Sequence, residues 1–169
     1  MFKQTLSIVL LAAMVCVATG SSHHQQIHLS FAQNIDEMLV TWVTKHNDQK
    51  VHVQYGLNET DEFEFKAKAS TTKYVNPGRE GRVIFIHRAI LRELEPGQLY
   101  KYRPVSAQAL GAVYSFRSRK VDNSEGQTRF AMLADMGLEG TVLPRLTAEV
   151  ERDEYDMVFH VGDLAYDLQ

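Results

Sequence analysis

Short alternating segments separated by turn residues fill most of the first two thirds of the chain. Within them apolar and polar residues alternate, as in Val51-His52-Val53-Gln54-Tyr55, which is typical of β-strands with one face in a core. Asparagine, glycine and proline mark the turns between the segments. The pattern predicts seven strands: Gln26–Phe31, Glu37–Thr44, Lys50–Gly56, Glu62–Ala69, Arg82–Leu91, Gln98–Val105 and Ala112–Ser118. Seven short strands in roughly 95 residues fit an immunoglobulin-like sandwich.

Two local features make this prediction more specific. Trp42, the only tryptophan, lies in the middle of an apolar strand, where we expect it to anchor the core. Residues 94–102 (Leu-Glu-Pro-Gly-Gln-Leu-Tyr-Lys-Tyr) resemble a tyrosine corner, in which a tyrosine hydroxyl bonds to upstream backbone. Residues 24–118 therefore look like a fibronectin type III domain.

The histidines of this region give no catalytic signal. They lack the spacing of metal ligands, so we expect them to be surface or hydrogen-bonded residues. These histidines are His28, His46, His52 and His87. His23-His24, the only adjacent pair, precedes the predicted strands.

The N-terminus is typical of a secretory signal peptide over residues 1–20. Lys3 supplies a positive charge, and the apolar segment Leu6 to Ala18 is too short to span a bilayer. Small residues follow at Ala18-Thr19-Gly20; the alternative is a buried apolar helix. A signal peptide implies a secreted protein, or one held in an acidic compartment such as the lysosome. Entry into the secretory pathway makes Asn58, in Asn58-Glu59-Thr60, a candidate for glycosylation.

Composition narrows the range of partners. The 169 residues are 44% hydrophobic and carry a formal charge of -3, which describes a globular protein without the basic surface that nucleic acids or anionic membranes attract. No apolar segment predicts a membrane span, and the only cysteine, Cys16, lies inside the predicted signal.

The pattern changes after a polar stretch, residues 119–128, that we interpret as a linker. An apolar run from Arg129 to Ala134 ends at Asp135. A helix is predicted from about Val142 to Asp153, with Thr141 as its cap. A second apolar run follows at Met157–Val161. The second run suits a strand that is buried on both faces. Strand, helix and strand form a βαβ unit with two parallel strands.

A crossover brings the carboxyl ends of both strands to the same edge of the sheet. Asp135 ends the first strand, and Asp163 follows the second; on neighbouring strands about 4.8 Å apart, the two carboxylates converge. Such a pair can hold two metal ions, with Asp135 on one ion and Asp163 bridging the two. The ions would activate water and stabilise charge on a phosphoryl group. Tyr166 would add a phenolate. The alternative is that the aspartates only cap helices and that Tyr166 packs.

These motifs carry a family resemblance. Asp135-Met136-Gly137 and Gly162-Asp163-Leu164-Ala165-Tyr166 resemble the first two metal motifs of the purple acid phosphatases, secreted metallophosphoesterases with a fibronectin-like N-terminal domain and an αββα catalytic domain. The resemblance implies that Asp135 and Tyr166 bind Fe(III), that Asp163 bridges to a divalent iron, zinc or manganese ion, and that the substrate is a phosphate monoester. Residues 129–169 would be the incomplete start of the catalytic domain. His160 matches no ligand of the family.

The family's remaining motifs do not follow the first two in the sequence. Gly-Asn-His followed by an acid and Gly-His-x-His are missing, and the only Val-x-x-His, Val43–His46, lies in the predicted sandwich, before both metal motifs. We therefore assign no catalytic residue and expect this chain by itself to be inactive. The alternative is a short secreted fibronectin-like binding module without catalysis. A third interpretation, a phosphoesterase of another branch such as a nucleotidase, fits Gly137 and Tyr166 less well.

Overall fold

The structure, a computed structural model, describes residues 23–120, 128–135 and 142–162. The predicted signal peptide, Thr141, and most of the predicted linker lie outside the described residues. The chain divides into two compact units, residues 1–119 and 120–169.

The first unit is a sandwich of two four-stranded sheets. The first sheet has the order β1-β2-β6-β5 and the second has the order β4-β3-β7-β8, with every neighbouring pair antiparallel. The strands are β1 (Gln25–Phe31), β2 (Met38–Thr44), β3 (His52–Leu57), β4 (Phe65–Lys68), β5 (Ser70–Val75), β6 (Val83–Leu91), β7 (Leu99–Val105) and β8 (Tyr114–Arg117). The predicted immunoglobulin- and fibronectin-like fold is confirmed.

The core lies between the two sheets and is centred on Trp42. This side chain is fully buried and packs with Val40, Val53 and Leu91, all at 0% exposure. Burying each such aliphatic side chain contributes about 1.5–3 kcal/mol relative to leaving it in water. The alternation in the sequence therefore identified the core face of the central strands correctly.

The turn before β7 is a tyrosine corner, as predicted. The Tyr100 side chain is 3% exposed, and its hydroxyl oxygen accepts a hydrogen bond from the Glu95 N–H at 3.0 Å. Gly97 has a φ of 72°, the left-handed conformation that glycine adopts without steric cost. The corner fixes the path by which the chain enters β7.

The strand count differs from the prediction, because β5 was not among the seven predicted strands. Its sequence, Ser-Thr-Thr-Lys-Tyr-Val, has no alternation of apolar and polar residues, and all six residues are exposed. Only Ala69 separates β4 from β5, and the chain passes there from one sheet to the other without a turn signal.

The second unit contains the predicted strand–helix–strand order. Strands β9 (Phe130–Leu133) and β10 (Met157–His160) pair in parallel, and helix α1 (Val142–Glu151) lies between them in the sequence. The helix ends two residues before the predicted limit, and none of its described residues is buried. The apolar run predicted a strand buried on both faces, but Val158 and Phe159 of β10 are 41% and 39% exposed.

Candidate functional site

Asp135 stands where the sequence predicts a metal ligand, just beyond the carboxyl end of β9. The parallel register pairs Leu133 with His160, and the Val161 N–H donates to the Leu133 carbonyl oxygen at 2.8 Å. Asp135 and Gly162 each lie two residues beyond that last pair. The ends of the two strands therefore lie side by side, and in the sequence Gly162 directly precedes Asp163.

The backbone at Asp135 is unusual. Its φ of 53° is in the left-handed region, which aspartate tolerates better than most residues and which is common at functional sites. The residue as a whole is exposed. A hard oxygen donor at a strand end fits the ligand chemistry of Fe(III) and of divalent ions such as manganese.

Asp163 and Tyr166 lie outside the described residues, as do Met136 and Gly137. The convergence of Asp135, Asp163 and Tyr166 on two metal ions therefore stays a prediction. The structure describes the register of β9, which precedes Asp135, and of β10, which precedes Asp163.

Polar contacts hold the beginning of both strands together. The Arg129 N–H donates to Asp156 Oδ2 at 2.8 Å, and the Asp156 N–H donates to the Arg129 carbonyl oxygen at 2.9 Å. At the end of α1, Glu149 accepts from Arg145 Nε at 2.7 Å and from the Tyr155 hydroxyl at 2.9 Å, and these bonds lower the pKa of Glu149. The contacts support the register that pairs Leu133 with His160.

A second group of metal-ligating residue types lies in the sandwich. His23 Nε2 contacts Asp48 Oδ2 at 2.5 Å, and the rings of His23 and His24 meet edge to face with centroids 5.1 Å apart. His24 is 2% exposed, and burial lowers its pKa, which favours the neutral imidazole. Sequence reasoning could not join these residues, because Asp48 lies in the loop between β2 and β3, distant in sequence from the histidines. The adjacent histidine pair was the one available signal.

Three other histidines of the sandwich make local or buried hydrogen bonds, and His46 is exposed. His28 Nδ1 and His52 Nδ1 each lie 2.8 Å from a backbone carbonyl oxygen two residues earlier in the chain. His87 is fully buried, with Nε2 2.8 Å from Thr44 Oγ1 and Nδ1 2.9 Å from Thr71 Oγ1. For His87 the expected hydrogen-bonded role is confirmed.

The predicted glycosylation residue has suitable surroundings. Asn58 is exposed immediately after β3, and its backbone N–H donates to the Leu99 carbonyl oxygen at 2.9 Å. The Thr60 hydroxyl lies 3.1 Å from the Leu57 carbonyl oxygen. The side chain of Asn58 is thus presented on an ordered turn, while its modification stays a prediction.

Comparison with known proteins now identifies the family. The family model described as purple acid phosphatase, N-terminal domain, matches residues 24–118, which is more than half of the chain. The chain belongs to the purple acid phosphatase family. Among the described residues, no helix is long and apolar enough to cross a membrane.

Relatives of this purple acid phosphatase chain extend the match beyond the sandwich. Acid phosphatase type 7 of Homo sapiens is 35% identical over 149 residues, which cover 88% of this chain and 34% of the human protein. The Danio rerio protein of the same name is 35% identical over 147 residues, covering 85% and 32%. The chain thus spans about one third of the length of these curated relatives.

A solved structure shares the fold. A purple acid phosphatase from yellow lupin (Lupinus luteus) seeds aligns with a TM-score of 0.70 at 21% identity, covering 86% of this chain and 30% of the lupin chain. The similarity supports a sandwich followed by the first elements of a second domain.

Proposed function

We propose that this chain contributes part of the dinuclear metal centre of a phosphate monoester hydrolase. Asp135 and Tyr166 would bind Fe(III), and Asp163 would bridge it to a divalent iron, zinc or manganese ion. The observation that carries the proposal is the parallel pairing of β9 with β10, which brings the carboxyl ends of the two strands, just before Asp135 and Gly162, to one edge. The family match to the preceding residues supports it.

The residues differ in what they would do. The Asp135 carboxylate would fix one ion at the end of β9, and the Asp163 carboxylate would hold two ions at a set distance. Tyr166 would bind as a phenolate, because a trivalent ion displaces a proton whose ordinary pKa is near 10. When bound, the metal ions would supply Lewis-acid polarisation of the phosphoryl group and activation of the attacking water.

We also infer that these residues alone are not sufficient for hydrolysis. The sequence carries two of the family's metal motifs and lacks the asparagine and histidine ligands of the others. A two-metal site with three protein ligands leaves most coordination positions to solvent, which weakens both affinity and geometry.

The domain organisation belongs to the same proposal. Residues 1–20 would direct the chain into the secretory pathway, 24–118 would form the fibronectin-like domain, 119–128 the linker, and 129–169 the start of the catalytic domain. The protein would act outside the cell or in the lysosome, with glycosylation at Asn58.

Sequencing the transcript downstream of Gln169 is the first experiment. An open frame with Asn-His and His-x-His motifs would supply the complete protein, in which Asp163→Asn should lower metal-dependent hydrolysis of p-nitrophenyl phosphate at least a hundredfold. Asp153→Asn, in the turn after α1, is the matched control and should leave the rate unchanged. Equal rates for both variants would contradict the metal-binding role of Asp163.

The short chain provides the opposite test. Purified as it stands, it should show no hydrolysis that Asp163→Asn abolishes; if it does, the insufficiency proposed above is wrong. A stop codon after Gln169 would favour the second candidate function, a secreted binding module, which the self-contained core around Trp42 supports.

A further inference from the structure

Three side chains of metal-ligating types lie close together where the chain enters β1. We propose that His23, His24 and Asp48 form a mononuclear site for a zinc-type divalent ion, separate in sequence from the motifs of residues 129–169. One ligand atom from each residue lies within 4.8 Å of the others. His23 and His24 directly precede β1, and Asp48 lies in the β2–β3 loop.

Asp48 gives the strongest indication that the cluster binds a cation. Its side chain is 0% exposed, and Oδ2 is 2.5 Å from His23 Nε2. The other oxygen, Oδ1, is buried and has no hydrogen-bond partner among residues 23–120. A buried carboxylate oxygen without a partner costs more than an ordinary lost hydrogen bond, because the group carries charge. A metal ion would neutralise that charge and occupy the unpaired position.

The donor set suits zinc. Two imidazoles and one carboxylate are common protein ligands of zinc, and such three-residue sites leave a fourth position to water or another ligand. Ligand atoms about 2.0–2.1 Å from a tetrahedral ion lie about 3.3 Å from one another. His23 Nε2 would therefore move less than 1 Å away from Asp48, and its 29% exposed side chain can make that movement.

The loop that carries Asp48 is held by hydrogen bonds from the adjoining strands. The Asp48 N–H donates to the His46 carbonyl oxygen at 3.0 Å, and the Thr44 hydroxyl donates to the same oxygen at 2.7 Å. Because the Thr44 hydroxyl proton is donated to the His46 carbonyl oxygen, Thr44 Oγ1 can only accept from His87 Nε2–H, at 2.8 Å. Outer hydrogen bonds of this kind orient the ligands of metal sites.

Zinc binding to the full chain tests the proposal. All measurements use an Asp163→Asn parent, so that a metal at residues 129–169 does not contribute. After dialysis against Zn²⁺, elemental analysis should find one zinc per parent chain, and titration should give a binding constant that His23→Gln weakens at least tenfold. The matched control His28→Gln alters an exposed histidine five residues away and should bind as the parent does.

A second variant and a spectroscopic probe complete the design. Asp48→Asn should also weaken zinc binding at least tenfold, with Trp42 fluorescence used to confirm that the sandwich is folded. Co²⁺ bound to the parent should show the intense visible bands of a tetrahedral site, and these should be lost in His23→Gln. If the parent binds no more zinc than His23→Gln, the cluster is a buried histidine–aspartate pair and the proposal is wrong.

Discussion

Replacing Tyr100 with phenylalanine tests whether the tyrosine corner stabilises the sandwich. The substitution keeps the buried ring, which stacks on Phe116 with centroids 5.7 Å apart, and removes only the hydroxyl that accepts from the Glu95 N–H at 3.0 Å. A net hydrogen bond contributes about 0.5–1.5 kcal/mol, and leaving a buried partner unpaired costs about 1–3 kcal/mol. Because Glu95 is itself exposed, water can reach part of the freed N–H, and we expect a loss of about 1–2 kcal/mol.

Urea unfolding followed by tryptophan fluorescence measures this loss in the sandwich alone. Trp42 is the only tryptophan and is fully buried in the sandwich core. With an m value of about 1.5 kcal/mol per molar, the expected loss lowers the urea midpoint by about 0.7–1.3 M. The slope m should not change, because the same surface is exposed on unfolding.

Tyr102→Phe is the matched control for this measurement. Tyr102 is also buried in β7, but no hydrogen bond to its hydroxyl is found within residues 23–120, and burial raises its pKa to about 12. Removing that hydroxyl should change stability by less than about 0.5 kcal/mol. A Tyr100→Phe midpoint equal to wild type, or an equally large loss in Tyr102→Phe, would refute the corner's role.

Three further predictions concern other parts of the sandwich. Burial lowers the pKa of His87, so below about pH 6.5 the unfolded chain binds a proton that the folded state excludes, and the free energy of unfolding decreases as the pH is lowered. The urea midpoints at pH 7.5 and pH 5.5 should therefore differ less in His87→Gln than in the wild type. An unchanged pH dependence would contradict this reasoning. A Cβ at Gly111 would lie 2.7 Å from the carbonyl oxygen of Pro104, so Gly111→Ala should cost about 1–3 kcal/mol, whereas Gly78→Ala, with its nearest contact at 3.5 Å, should be tolerated in thermal unfolding. Glycosidase treatment of the chain from secreting cells should lower the mass of the wild type and leave the mass of Asn58→Gln unchanged. An equal mass change in the two would exclude glycosylation at Asn58.

The sequence predicted the elements whose residues face the core. Met38, Val40 and Trp42 alternate with less buried residues and lie in β2, where the hydrophobic pattern and the observed register agree. The parallel pairing of β9 and β10 followed from the strand–helix–strand order, because such crossovers join parallel strands. Local pattern was sufficient in both cases.

Features that depend on contacts distant in sequence could not be predicted in the same way. Strand β5 has no buried face, and its Thr71 hydroxyl contacts His87, sixteen residues away. The proximity of His23 to Asp48 likewise depends on how β1 and the β2–β3 loop meet in the folded sandwich. Asp135 could be proposed as a ligand because a strand end is a local feature.

The strands at the margins of the sheets differ in how well they resist pairing with another molecule. Exposed lysines stand on β4 and β5, at Lys66, Lys68 and Lys73, and β8 carries exposed Arg117. Such charges on an outer strand oppose edge-to-edge aggregation. Neither β9 (Phe-Ala-Met-Leu) nor β10 (Met-Val-Phe-His) contains a lysine, an arginine or an acidic residue. The outer strand β1 (Gln-Gln-Ile-His-Leu-Ser-Phe) also lacks such charges, but more than half of its residues are polar, whereas β9 and β10 are almost entirely apolar. Self-association of this chain should therefore begin at β9 and β10.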